Sequence, residues 1–360
     1  MAPGTGLMIL PRYLSRIFLG RAAAVLLGLV ALLQLLDLLD KASELLQRGG
    51  LADVGRYALL RLPTMLGQLV SLAVLVGAIL TFRRLAGMLE ITALRTLGLG
   101  AWRILGGVLP ACVLAVALQA ALLLAVAPRT ERALADWWDG KGVVEGQPMA
   151  LAQRLWLRNG AEIVSVESAS LDGRSLEGIL LVRRDAGRQA LERIDARRAI
   201  HGPEGWRLLQ LRVVRPGETR PKVLAELAWA EGPSPEAIRD LARPTAAQPL
   251  GRLLAGQRGE GAVTRGPAFY ATRLQAVAAT MIAPFVMLLL AAPSAFGLPR
   301  QADGYRRGGI GLALGLGYLV VNGLLNAMGE AGGLEPHLAA WTAPLAFGLV
   351  GLLRLWHEEA

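Results

Sequence analysis

Across 360 residues, 54% of the side chains are hydrophobic and only 18% are charged, a balance that suits lipid better than a large water-facing core. The formal charge of +10 does not make a nucleic-acid binder, because aromatics are only 5% of the chain and no basic stripe is interleaved with them. The single cysteine, Cys112, lies in an apolar run and the histidines His201, His337 and His357 are far apart, which excludes an internal disulfide and a histidine–cysteine metal centre.

About 20 helical residues cross the hydrocarbon of a bilayer, and six apolar stretches reach or approach that length: 17–39, 57–82, 104–127, 274–296, 309–328 and 338–355. The third is the most apolar, its Leu, Ile and Val outweighing Pro110 and Gln119. The sixth is the shortest and leans on Trp341 and Trp356 as interfacial anchors. Arg12, Arg16 and Arg21 precede the first, as in a signal peptide, but the residues from Asp37 to Lys41 offer no small-residue cleavage site. It is therefore read as an uncleaved span.

Lysine and arginine in the short loops set the orientation. Arg12 and Arg16 lie before span one, Arg83, Arg84, Arg95 and Arg103 after span two, and Arg300, Arg306 and Arg307 after span four. The loop 329–337 holds Glu330 and Glu335 and no lysine or arginine. Both termini are thus expected in the cytoplasm. The long segment between spans three and four then lies outside, in the periplasm of a Gram-negative cell.

Asp37, Asp40 and Lys41 stand at the outer end of span one. On spacing alone they read as a mixed-charge helix end ahead of a site for a phosphorylated headgroup. Between spans two and three the stretch RRLAGMLEITALRTLGLGAWR, residues 83–103, is too polar to cross, and Leu85, Met88, Leu89 and Leu94 recur near helical spacing. It predicts a short amphipathic helix over about 84–97, closed by Gly98 and Gly100. Two readings fit it equally: a helix that docks a separate ATPase, and a surface helix at the lipid headgroups.

From 128 to 266 the pattern turns to short alternation. Leu209, Leu211 and Val213 form one period-2 run and Val223, Ala225, Leu227 and Trp229 another, each predicting a strand with one buried face. Leu209, Leu211, Val213 and Leu227 are the candidate interior residues. Turn chemistry separates the strands at Asn159-Gly160, Asp172-Gly173, 202–205 and Pro216-Gly217. The clearest hairpin runs 154–158, turn, 162–166. Short antiparallel strands imply a sandwich or jelly roll. A helix follows with Ser234 as N-cap and Pro235 at its first position, and 256–266 reads as a linker. The fold class is therefore α-helical membrane protein with an inserted all-β domain, divided 1–127, 128–266 and 267–360. In span five, Asn322 and Asn326 lie one turn apart, a spacing that suits bonds across helices.

No phosphate-binding GxxxxGK[ST], no GxSxG and no Cys/His pair occurs. No catalytic residue, metal ligand or cofactor is expected in the chain itself.

Layout and local strings together are similar to the permease subunits of lipopolysaccharide exporters, the LptF/LptG family, over essentially the whole length. Leu10-Pro11-Arg12-Tyr13-Leu14 resembles the family's opening segment, Glu90-Ile91-Thr92-Ala93-Leu94-Arg95-Thr96-Leu97-Gly98 its coupling helix, and Phe296-Gly297-Leu298-Pro299-Arg300 its loop after span four. That loop and the string Leu155-Trp156-Leu157-Arg158-Asn159-Gly160 are closer to the LptG branch than to LptF. The resemblance implies a non-catalytic transporter half. Its partners would be an LptF-like permease, an LptB-like ATPase dimer that binds ATP and Mg, an LptC-like subunit and an LptA-like periplasmic bridge.

It further implies that Glu90, Leu94, Arg95 and Gly98 couple to the ATPase, and that Gln34, Asp37, Lys41, Arg129 and Arg132 lie towards lipopolysaccharide. Lys41 matches a basic family position. Gln34 stands where the family has a lysine, and Arg129 and Arg132 come about a turn before the expected basic residues, whose place Trp137 and Trp138 take. The rival readings are an export permease for another lipid or a lipoprotein, and a membrane-anchored periplasmic scaffold.

Overall fold

The computed structural model describes residues 6–140, 149–170, 172–185, 189–217, 221–242, 250–258, 262–295 and 303–358. In chain order the helices are α1 (Gly6–Gly49), α2 (Leu51–Gly87), α3 (Glu90–Thr96), α4 (Ala101–Ala120) and α5 (Ala127–Gly140). Six strands follow: β1 (Met149–Asn159), β2 (Glu162–Ala169), β3 (Ser175–Arg184), β4 (Ala190–Gly202), β5 (Gly205–Val214) and β6 (Lys222–Trp229). The chain ends with α6 (Pro235–Ala242), α7 (Leu250–Arg258), α8 (Pro267–Ala291), α9 (Asp303–Glu330) and α10 (Pro336–His357). Two compact units result, Met1–Thr130 with Thr272–Ala360, and Glu131–Ala271.

Among the described residues, six helical stretches are long and apolar enough to cross a membrane: Leu10–Leu46, Leu51–Gly87, Ala101–Trp138, Pro267–Ala291, Arg306–Glu330 and Pro336–His357. They match the six expected spans, most of them running longer, and at two places the extra length moves residues singled out from the sequence. Helix α1 continues to Gly49, so Asp37, Asp40 and Lys41 lie inside it and not at its end. The third span continues past 127 through a π-helical turn, Ala121–Val126, into α5. Residues 128–140, expected to open the β-domain, are therefore helical. The turn carries the helix past Pro128: the N–H of Ala127 reaches back to the Leu122 carbonyl, and a wider turn relieves the clash that a proline ring makes in a regular α-helix.

Helix α2 is the centre of the first unit. Val74, Leu75, Ala78 and Phe82 are almost wholly buried, and Leu14, Phe18, Ala22, Leu26 and Val30 of α1 supply a facing stripe at a spacing of four. Gln119, the polar residue of span three, is buried and exchanges hydrogen bonds with Ser71 of α2 at 3.3–3.4 Å, which removes the cost of an unpaired amide in lipid.

Where α1 crosses α2, a Cβ on Gly77 would lie 2.7 Å from the Ala22 Cα and 2.9 Å from its Cβ. Only a residue without a side chain lets the backbones approach this closely. Gly77→Val should pry α1 from α2 at a cost of about 1–3 kcal/mol, seen as earlier thermal aggregation of the detergent-solubilised chain. A melting profile like wild type would contradict the contact.

In the second unit each strand pairs antiparallel with its neighbour in sequence, in the order β1-β2-β3-β4-β5-β6. The first hairpin is as expected: Asn159 pairs with Glu162, with Gly160 at φ +57° in the turn. A jelly roll needs crossovers between sheets; this meander has none among the described residues. It becomes two-layered by folding over. The ladders lack a bridge at one common level, where Glu167, Gly178, Arg197, Gln210 and Ala225 stand side by side. Gly178 and Gln210 have positive φ, +63° and +53°, and the inward alternation skips a residue there on every strand from β2 to β6.

The outer ends of the folded sheet then meet. Trp229, at the end of β6, donates from Nε1 to Glu162 at the start of β2, 2.8 Å away, although three strands lie between. Glu162 also accepts from Arg183, which bonds to Glu192, each at 2.8 Å. Burial works against the charge of Arg183, but the two carboxylates outweigh it and hold the guanidinium above its usual pKa. The interior is apolar and closed, with Val164, Val166, Leu176, Leu181, Leu208 and Leu211 at 0% exposure.

Helix α6 starts as predicted: Pro235 is its first residue and the Ser234 hydroxyl accepts from the Ala237 N–H at 3.2 Å. The linker expected over 256–266 is in part structured, since α7 reaches Arg258 and Val263 pairs with Arg158. The loop 296–300 lies outside the described residues.

Candidate functional site

Three places carry the residues singled out from the sequence. The first is α3. The predicted amphipathic helix over 84–97 is divided in two: residues up to Gly87 finish α2, and α3 itself is Glu90–Thr96. The break is backbone-made, with Leu89 in the left-handed region at φ +60°. Gly98, at φ +81°, closes the far end, where the Leu99 N–H bonds to the Leu94 carbonyl at 3.1 Å and the Gly98 N–H to the Arg95 carbonyl at 2.9 Å.

Ile91 is buried and Leu94 half-buried against the helical core, so this face holds α3 in place. Met88, Leu89 and Leu97 are 57%, 58% and 78% exposed. An acid in the first turn, framed by three uncovered apolar side chains, forms a surface of the kind that receives a protein partner.

Hydrogen bonds tie α3 to distant parts of the chain. The Tyr13 hydroxyl of α1 donates to both Glu90 carboxylate oxygens, at 3.1 and 3.3 Å. Arg95 donates to the backbone carbonyl of Glu358, just after α10, at 3.2 Å. The Glu358 carboxylate pairs with Arg307 of α9. Sequence reading missed Tyr13, Arg307 and Glu358 as companions of α3. The one available signal was a tyrosine inside the opening string that also carried the family resemblance.

The second place is α1. Gln34, Asp37 and Lys41 fall on one helical face, as their spacing requires. Asp37 is held by this chain: Tyr57 of α2 donates to it at 2.8 Å and Arg61 lies at 4.0 Å. Neither neighbour was foreseen. Both polar atoms of the Gln34 amide are buried without a hydrogen-bond partner among the described residues, and Lys41 is half-buried. Arg129 and Arg132 are on α5; Arg129 is exposed and caps the Ala125 carbonyl of its own helix at 2.6 Å.

The third is the interior of the sheet. Leu211 and Val213 are buried there, at 0% and 6% exposure. Leu209 is not: Gln210 breaks the alternation, so Leu208 takes the inward place at 0% and Leu209 turns to the opposite face. Leu227 is half-buried on edge strand β6, opposite Leu208.

The family described as "Lipopolysaccharide export system permease LptF/LptG" matches residues 12–357, a stretch that takes in all three places. No curated protein matches the chain.

Proposed function

The chain belongs to the lipopolysaccharide export permease family LptF/LptG, and on that premise we propose that it is one transmembrane half of an ATP-driven exporter, of the LptG type. In this reading it sits in the bacterial inner membrane with both termini and α3 in the cytoplasm and the β-domain in the periplasm. It pairs with an LptF-like permease on an LptB-like ATPase dimer that binds the ATP and Mg. An LptC-like subunit and an LptA-like bridge continue the route. Glu90 meets the ATPase, Lys41 and its neighbours on α1 face the phosphorylated headgroup, and acyl chains travel between the apolar halves of the folded sheet.

The observation that carries the proposal is the exposure of α3. A seven-residue helix between two spans, seated by Ile91 on one face, with an acid in its first turn and uncovered Met88, Leu89 and Leu97 beside it, suits docking. Moving lipid chains through water costs about 0.8 kcal/mol per CH₂, so a passage lined with apolar side chains and an energy source are both required.

A photo-crosslinker placed at Leu211 should capture lipopolysaccharide when ATP is hydrolysed and much less when it is not. Leu209, on the opposite face, is the matched control. Equal capture at both positions, or capture indifferent to ATP, would favour a periplasmic scaffold. Gentle purification of the chain from native membranes should bring a soluble ATPase in about twofold molar excess, together with a second six-span chain. Recovery of periplasmic proteins alone would count against the exporter.

A further inference from the structure

Helix α3 has handles on two particular helices. Tyr13 links Glu90 to α1, and Glu358 links Arg95, through its carbonyl, to Arg307 of α9, through its carboxylate. These are the two least enclosed spans. Only 6% of the most apolar stretch of α1 is buried and 22% of that of α9, against 67% for α2. Leu32, Leu35, Leu36 and Leu39 of α1 and Val320 and Leu324 of α9 are bare within this chain. The packed stripe of α1 ends at Val30, and the stretches beyond it, like those of α9, bury little and so lose little when they shift. By contrast α3 is anchored to the bundle through Ile91, 3% exposed, and its exposed face is free to be pushed.

From these contacts we infer that Tyr13 and Glu358 are positioning residues that make α3 a two-armed lever: one arm moves α1 and the other, through Arg307, moves α9. The inference rests on the reading of α3 as the ATPase contact and adds what α3 moves. The two arms differ chemically. The Tyr13 arm is a neutral donor on a carboxylate, whereas the Glu358 arm joins a hydrogen bond to a guanidinium ion pair that is half-buried, with 34% and 21% of the Arg307 and Glu358 side chains exposed. Both ends of the second arm meet at one residue, so its carbonyl and its carboxylate report separately: Arg95→Ala cuts the α3 end and Arg307→Gln the α9 end.

The test uses the assembled exporter in nanodiscs, with lipopolysaccharide released and ATP hydrolysed measured together. Tyr13→Phe and Arg307→Gln should each lower the lipid moved per ATP several-fold, since each removes a bond to a charged group, while the ATPase stays bound. The exchange Arg307→Glu with Glu358→Arg should restore much of the ratio, which a merely structural loss would not. Spin labels at Thr92 and Gly309 give a second measurement that needs no transport: their distance distribution should broaden in Arg307→Gln. An unchanged ratio in both single variants and an unchanged distribution would overturn the lever. With Glu90→Lys inactive in the same assay, that result would leave the ATPase contact standing and remove only the lever. If Glu90→Lys transported normally, the reading beneath it would fall as well.

Discussion

Cells whose only copy of this chain carries Glu90→Lys should fail to export lipopolysaccharide, although the protein is inserted and present at normal level. The change acts three ways on a helix of seven residues. It replaces the favourable acid of the first turn by a cation, and each such charge at a helix end is worth about 0.3–1 kcal/mol. It removes the acceptor of the Tyr13 hydroxyl. It also sets a positive charge on the face proposed to enter the ATPase, close to Arg83 and Arg84 in sequence. None of this touches the packing of α2, whose buried side chains carry the bundle, so insertion should survive. Depletion of the wild-type copy, with growth and surface lipopolysaccharide followed in parallel, gives the answer. Normal growth would mean that the driving stroke does not pass through α3.

Trp229→Ala should open the β-domain. The side chain is 1% exposed and packs against Trp206, with ring centroids 6.0 Å apart; truncating such a residue costs about 3–5 kcal/mol. Glu162, itself 2% exposed, would lose the indole donor, adding about 1–3 kcal/mol. Domains are stable by only about 5–15 kcal/mol, so the sum removes much of the margin. Limited proteolysis of the full chain in detergent should then cut within 149–229 at protease levels that the wild type is expected to withstand. Trp229→Phe keeps most of the ring but not the N–H and should fall between the two. If Trp229→Ala resisted protease like wild type, the closure of the sheet could not depend on this seam.

What the sequence made legible was whatever repeats locally. Six spans follow from runs of apolar residues, the first hairpin from Asn159 and Gly160, and the start of α6 from Ser234 and Pro235. The fold line of the sheet was not legible, because on any single strand it is only one skipped residue. Leu209 looked as inward as Leu211 until Gln210 was seen to take a positive φ in step with Gly178 two strands away. Contacts between remote segments were likewise hidden. Tyr13 and Glu90 are 77 positions apart, and Arg95 and Glu358 are 263; no periodicity reports on such pairs. The neighbours of Asp37, Tyr57 and Arg61, were hidden too, since partners on the next helix have no local signature.

The π-helical turn at Ala121–Val126 gives the third span two frames. Ala101, Leu105, Val108, Cys112, Ala115 and Gln119 mark its packed side, and at 3.6 residues per turn that side would come round at about position 123 and again at about 126. Val126 is instead 37% exposed, and Ala127 is 4%. The phase has slipped by one residue, or about 100° of rotation. Arg129, which the first frame would bring close to the packed side, is thereby turned to the far side. One surplus residue is stored here as torsion in an unbroken rod, without a loop. Deleting it would therefore twist every side chain beyond it by more than a quarter turn while hardly shortening the helix.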